Sequence, residues 1–83
     1  MAEQQIGVIN EFFAHISVAG VELSDTMHVG DTIHVKGHTT DLEQTVDSMQ
    51  IEHEEVQEAT AGQAVGIKMK DRVRRGDHVF KVT

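Results

Sequence analysis

The 83-residue chain predicts an all-β fold, a small closed barrel of short strands, and three observations carry that expectation. Apolar residues alternate in several short runs, glycine-containing breaks separate the runs, and the glycine of each break is followed by a polar residue, as suits a tight turn. Period two marks a strand with one buried face. Closing such a sheet removes the unpaired edges that two small open sheets would leave exposed.

The first run places Ile6 and Val8 on one face, the second Ala19, Val21 and Leu23, the third Ile33 and Val35, and a later one Val65, Ile67 and Met69. In Thr32-Ile33-His34-Val35-Lys36 the apolar members face one way, and Thr32, His34 and Lys36 face water. The expected core is Ile6, Val8, Ala19, Val21, Leu23, Ile33, Val35, Val46, Val65, Ile67 and Val79. Breaks at Val29-Gly30-Asp31, Lys36-Gly37-His38, Ala61-Gly62-Gln63 and Arg75-Gly76-Asp77 suit tight turns at the spacing of a sandwich or barrel. The segments starting at Gly30, Gly62 and Gly76 share one pattern: glycine, a polar residue, any residue, an apolar residue. Each reads as a turn feeding a strand. Their glycines are 32 and 14 residues apart, so this is a reused turn and not a tandem repeat.

One segment supports two readings. Leu42, Val46, Met49 and Val56 recur at helical spacing, and Thr40-Asp41-Leu42-Glu43 could cap a helix over 41–58. Against this, Ile51 falls off the helical stripe, and Thr45, Val46 and Ile51 are β-branched residues that suit a pleated surface. A strand would need a bulge or bend near Ser48, because Val46 and Met49 differ in parity.

The length leaves room for one compact unit, so residues 1–83 are expected to form a single domain. With no cysteine there is no disulfide framework, thiol nucleophile or cysteine-ligated zinc site. No apolar run approaches the roughly 18 residues of a membrane span, and residues 1–6 lack the basic start and apolar stretch of a leader. The expectation is a soluble cytoplasmic protein with no membrane contact.

Charge is segregated. Residues 1–67 carry twelve acids against Lys36 alone, a net of −11, whereas 68–83 carry six bases against two acids, a net of +4. A net charge of −7 repels nucleic-acid phosphates at long range, and only Lys68, Lys70, Arg72, Arg74, Arg75 and Lys81 could offset that locally. These bases read first as a solvated hairpin balancing acidic strands, and second as a nucleic-acid contact. Protonating all six histidines would bring the formal charge from −7 to −1, so association and solubility are expected to change below about pH 6. Phe12 and Phe13 are adjacent, so in a strand only one ring can enter the core. The other is either covered by a loop, the favoured outcome, or left as an exposed interface anchor. With no Tyr or Trp, a base-stacking platform has little material.

Four motifs in register resemble the second domain of translation GTPases such as elongation factor Tu and initiation factor 2. They are Val29-Gly30-Asp31-Thr32-Ile33-His34-Val35, Val46-Asp47-Ser48-Met49-Gln50, Ala61-Gly62-Gln63-Ala64-Val65-Gly66-Ile67 and Arg75-Gly76-Asp77-His78-Val79. Through Gly37-His38-Thr39-Thr40-Asp41-Leu42-Glu43-Gln44, the chain more closely resembles stand-alone translation elongation factor-like proteins and the C-terminal domain of some collagenase-like peptidases. The resemblance implies a six-stranded closed β-barrel of the translation-factor domain 2 type, with a strand across Val46 to Ile51. It does not bring GTP hydrolysis, since the chain has no G-x-x-x-x-G-K-[ST] loop to wrap phosphates. Nor does the first hairpin match, since Ala14 to Gly20 replaces the family's glycine-rich one. An aminoacyl pocket would therefore need another chain to complete it.

Chemistry offers little beside this. His34, His38 and His53 with Glu52, Glu54 and Glu55 could supply zinc ligands, but zinc needs three or four that converge, and outward strand positions account for all three histidines. Ser17, Ser24 and Ser48 lack a nucleophile-elbow context. The expectation is a non-catalytic module, without cofactor, metal or GTP, that docks a protein or ribonucleoprotein partner. Its candidate surface is the basic hairpin Lys68, Lys70, Arg72, Arg74 and Arg75 with whichever of Phe12 and Phe13 is exposed. The alternatives are an RNA or tRNA binder using that hairpin, and a detached accessory domain of a peptidase-like or modifying enzyme.

Overall fold

The computed structural model describes residues 2–83; Met1, the start of the segment weighed as a leader, lies outside the described residues. The all-β expectation holds, with ten strands in chain order and no helix among the described residues. They are β1 (Glu3–Phe13), β2 (Val18–Leu23), β3 (Met27–His28), β4 (Thr32–Lys36), β5 (Asp41–Thr45), β6 (Met49–Ile51), β7 (Glu54–Val56), β8 (Glu58–Ala59), β9 (Ala64–Lys68) and β10 (His78–Val82). Eight form one sheet in the order β5-β4-β10-β1-β2-β9-β6-β7, and β3 pairs with β8 in a second. Every pairing is antiparallel.

The sheet does not close into the expected six-stranded barrel, since its terminal strands β5 and β7 do not pair. The reason lies at the end of β5. Gln44, nearly buried, reaches the far end of β9 with its side chain: Nε2 donates to Lys68 O and Oε1 accepts from Lys70 N–H, both at 3.0 Å. One side-chain amide thus bridges two segments that a ladder would otherwise join. The chain then turns inward at Val46, whose N–H and C=O are both taken by the 28–31 turn.

The 41–58 segment is extended, not helical. β5 ends at Thr45, residues 46–48 are irregular, and β6 begins at Met49. The bend lies where the parity of Val46 and Met49 requires it, and it buries both. The remaining apolar residues of the helical stripe, Leu42 and Val56, sit on β5 and β7 and pack only partly against the core.

The reused glycine turn is one structural device built three times. Gly30, Gly62 and Gly76 have φ of 98°, 90° and 94°, the left-handed geometry of position i+2 in a type II turn. In each, the polar residue after the glycine donates its N–H to the carbonyl three residues back: Asp31 to His28, Gln63 to Thr60, Asp77 to Arg74. Its side chain in turn accepts from that residue's N–H, at 2.8 Å in all three. Each turn also grips one buried apolar residue by both backbone groups. Gly30 N–H donates to Val46 O and Val46 N–H to Asp31 O; Gly62 and Gln63 hold Leu23 likewise, and Gly76 and Asp77 hold Ile9. The strand that follows starts two residues after each glycine.

The core matches ten of the eleven expected residues, and Val8 is the exception. Strand β1 carries two register shifts, between Gln5 and Gly7 against β10 and between Ile9 and Glu11 against β2. Each bulge adds a residue and inverts the alternation that follows. Ile6, Ile9 and Phe12 therefore point inward at intervals of three, and Val8 is only half-buried. Met69, which continues the alternation of Val65 and Ile67, joins the core with Met49, and Met27, Ala59 and Val73 complete it from short strands and loops where no period registers.

Candidate docking surface

The outer face of β1, β2, β9 and β6 carries the apolar surface that is left uncovered. Phe12 lies opposite Ala19 and turns toward the core, whereas Phe13 lies opposite Val18 and is 39% exposed. The second ring is thus exposed and not covered by a loop. Val18 is paired in turn with Lys68, so Phe13, Val18 and Lys68 form one row across three strands. Ile16, at the tip of the β1–β2 turn, is 48% exposed beside them. Lys68 Nζ donates to Ile16 O at 2.9 Å and pins that turn.

This row borders a groove of about 610 Å³. The β1–β2 turn and Phe13 form one wall, and Glu52 and His53 from the β6–β7 turn form the other. Glu11, His15 and Gln50 also line it. The lining carboxylates are Glu11 and Glu52, beside the imidazoles of His15 and His53, and Lys68 stands in the bordering row.

The basic segment is not a hairpin. Its flanking strands β9 and β10 are not neighbours in the sheet, and residues 69–77 cross between them as a loop. The crossing is held down by Met69 and Val73, both buried, and by Asp77, which is 4% exposed and anchored on Arg74 N–H. Lys68 lies by Phe13 and Ile16, and with Lys70 also flanks the cleft beside Gln44. Arg72 and Arg74, with Asp71 between them and the strand, face Thr39, Thr40 and Asp41 across a cleft of about 280 Å³. Arg75 is exposed in the third glycine turn. Lys68 and Lys70 thus line one cleft beside β5, and Arg72 and Arg74 line a second along the same strand, with Asp71 among them.

A second polar cluster covers the outer face of β4, β10 and β1. Both ring nitrogens of His34 meet carboxylates, Nδ1 with Glu3 Oε2 at 2.6 Å and Nε2 with Asp41 Oδ1. Lys36 Nζ lies 2.8 Å from the other oxygen of Glu3 and 5.3 Å above the Phe80 ring. Two acceptors favour two N–H groups on the ring, so hydrogen bonds to Asp41 and then Glu3 raise the His34 pKa above 6.5. Lys36, and next His34, lower that of Glu3 below 4.5. The carboxylates lie on opposite ring nitrogens. Among the described residues no three His, Asp or Glu side chains are grouped to hold a metal ion. His34 and His53 are far apart in the sheet, with four strands between β4 and β6.

No protein-family model matches the chain. Over 77 residues, 92% of its length, it is 43% identical to an uncharacterised protease of Methanocaldococcus jannaschii, covering 19% of that protein. Over 73 residues it is 34% identical to a collagenase of Porphyromonas gingivalis, covering 86% of this chain and 20% of the collagenase. Among solved structures, the C-terminal domain of a chain described as a U32 peptidase of Geobacillus thermoleovorans superimposes with a TM-score of 0.90 at 18% identity. The match covers 96% of this chain and 93% of that domain. The fold is that of a U32 peptidase C-terminal domain.

The selenomethionine form of the same Geobacillus domain agrees, with a TM-score of 0.87. The chain spans about a fifth of the length of the curated relatives it matches. These findings uphold the collagenase-like peptidase half of the resemblance. They overturn a translation elongation factor-like identity, since the curated relatives are a protease and collagenases. The motifs misled because a glycine turn feeding a strand is a backbone device, open to any small β domain that needs it. Ile16, Gly20 and Gly66 were not expected as groove residues, and Glu52 was weighed only as a zinc ligand. Gly20 and Gly66 each interrupt an apolar strand, in Ala19-Gly20-Val21 and Val65-Gly66-Ile67, and that interruption was the available signal.

Proposed function

We propose that this chain is a non-catalytic accessory domain of a peptidase-family enzyme, held by protein contact against the region that carries the chemistry. One observation carries the reading: the chain matches an isolated peptidase C-terminal domain almost end to end, yet amounts to about a fifth of its protease and collagenase relatives. Exposed Phe13 and Ile16 on a rigid sheet face are the kind of side chains that anchor protein interfaces. The RNA-binding alternative draws less support, because the chain's net charge is −7 and Asp71 sits among the bases of the loop between β9 and β10.

The test is a pull-down with the tagged chain from native extract, with and without nuclease, read by mass spectrometry. The reading expects a protein related to the remaining four-fifths of the relatives, recovered equally after nuclease treatment. Recovery of RNA alone, or capture lost with rising salt and in an Arg72→Ala, Arg74→Ala, Arg75→Ala variant, would replace it with the nucleic-acid reading.

A further inference from the structure

The groove beside Phe13 has backbone for part of its floor, at Gly66; over neighbouring Gly20 the Asn10 side chain lies close, its Oδ1 2.7 Å from where a Cβ would stand. Gly20 and Gly66 are direct cross-strand partners on β2 and β9, and Gly66 also lies opposite Gln50 of β6. Glycine in a strand interior weakens the strand and gives it no side chain to pack, so it calls for a reason. At Gly66 the chain itself supplies none. Its φ is not left-handed, and an added Cβ would meet only Val18 Cγ1 at 3.4 Å and Gln50 O at 3.9 Å, ordinary contacts. Close approach by something outside the chain is the remaining physical reason.

Both walls are held in costly conformations. Ser17, Glu52 and His53 are the only non-glycine residues with positive φ among the described residues, at 55°, 51° and 68°, and all three lie in the turns that flank the groove. Glu52 and His53 fill the two central positions of the β6–β7 hairpin turn, which needs positive φ at both and favours Asn or Gly, so keeping these side chains there carries a backbone cost. The lining acids Glu11 and Glu52 set the sign of what fits.

We infer that this groove docks an extended protein segment in which an aliphatic side chain, flanked by Lys or Arg, lies on the backbone at Gly66. The aliphatic group packs against Phe13 and Ile16, and the flanking cations reach Glu11 and Glu52. The inference rests on the accessory-domain reading for the origin of that segment, the peptidase-family partner, but not for the chemistry of the groove.

The test uses the 15N-labelled chain and two capped seven-residue peptides, one alternating Leu with Lys and the other Leu with Glu. Titration with the Lys peptide should shift the amides of Phe13, Ile16, Gly20 and Gly66, and the Glu peptide should leave them unmoved. Gly66→Ala should keep the spectrum of a folded chain while weakening the Lys peptide about tenfold or more. Phe13→Ala, at an exposed position, should weaken it as well. Equal shifts from both peptides, shifts mapping elsewhere, or undiminished binding by both variants would overturn the proposal. So would self-association abolished by Gly66→Ala, which would make a second copy the occupant. Repeating the pull-down with Gly66→Ala separates the two ideas. Capture of the peptidase-family chain by both forms removes the groove and keeps the accessory role, whereas peptide binding without any such capture does the reverse.

Discussion

Two regions of this molecule solve the same backbone problem in opposite ways. At the three repeated turns a left-handed residue is needed, and Gly30, Gly62 and Gly76 supply it without strain. Around the groove left-handed φ is occupied by Ser17, Glu52 and His53, while glycine sits instead at Gly20, packed under Asn10 Oδ1, and at Gly66, where an added Cβ would meet no clash. The turns are built for stability; the groove departs from what stability alone would choose. That contrast separates scaffold from surface without reference to any relative.

The contrast can be broken by substitution, and the largest expected effect calibrates the rest. Ile33→Ala, deep in the core that both regions share, should cost about 2–4 kcal/mol in urea unfolding. A loss under about 0.5 kcal/mol would mean that the faces of β4 are reversed. Next come the turns. Gly76→Ala forces a side chain into left-handed backbone, and Asp77→Ala removes the buried acceptor of Arg74 N–H, so each should cost roughly 1–3 kcal/mol. A neutral result at both would show that the third turn is not a fastening point for Ile9.

The groove should give the opposite sign. Gly66→Ala is expected to stabilise by about 0.5–1 kcal/mol, since alanine loses less freedom on folding and meets no clash. His53→Gly should also stabilise, by up to about 1 kcal/mol, by relieving its positive φ. Destabilisation by both would erase the distinction between the two regions.

The smallest effect concerns pH. The folded pKa of His34 is raised by Asp41 and Glu3, so its contribution is fully present below about pH 6.5 and is lost as pH rises through the folded pKa. Glu3 runs the other way. Its pKa is lowered, so its contribution is present above about pH 4.5 and lost as pH falls through the folded value. Thermal melts of the wild-type chain and His34→Gln should therefore differ in slope above about pH 6.5, with the flatter profile in the variant. Parallel profiles would remove His34 as the titrating group.

The strand faces and turns were legible in the residues because both are local. Alternation at Ala19, Val21 and Leu23, or at Ile33 and Val35, survives folding because neither β2 nor β4 carries a bulge residue of its own; the extra residues lie on β1. It failed at Val8, where bulges invert the alternation, since a bulge depends on which strand lies alongside. The candidate site was half visible. Phe13 could be singled out as one of an adjacent pair, but Ile16, Glu52 and Gly66 come from three separate stretches, and pairing Gly20 with Gly66 crosses 46 positions in the chain.

Periodicity by itself determined that the chain outside 41–58 is β, where its glycine turns fall and most of its core, because these follow from φ preferences and the two-residue repeat of a strand. Tertiary structure alone decided that 41–58 is extended, that the sheet stays open, that Gln44 bridges β5 and β9 and that two glycines become partners. The reason is that pairing order and strand register are properties of partners distant in sequence, and a local pattern specifies which way a side chain points, not what it will meet.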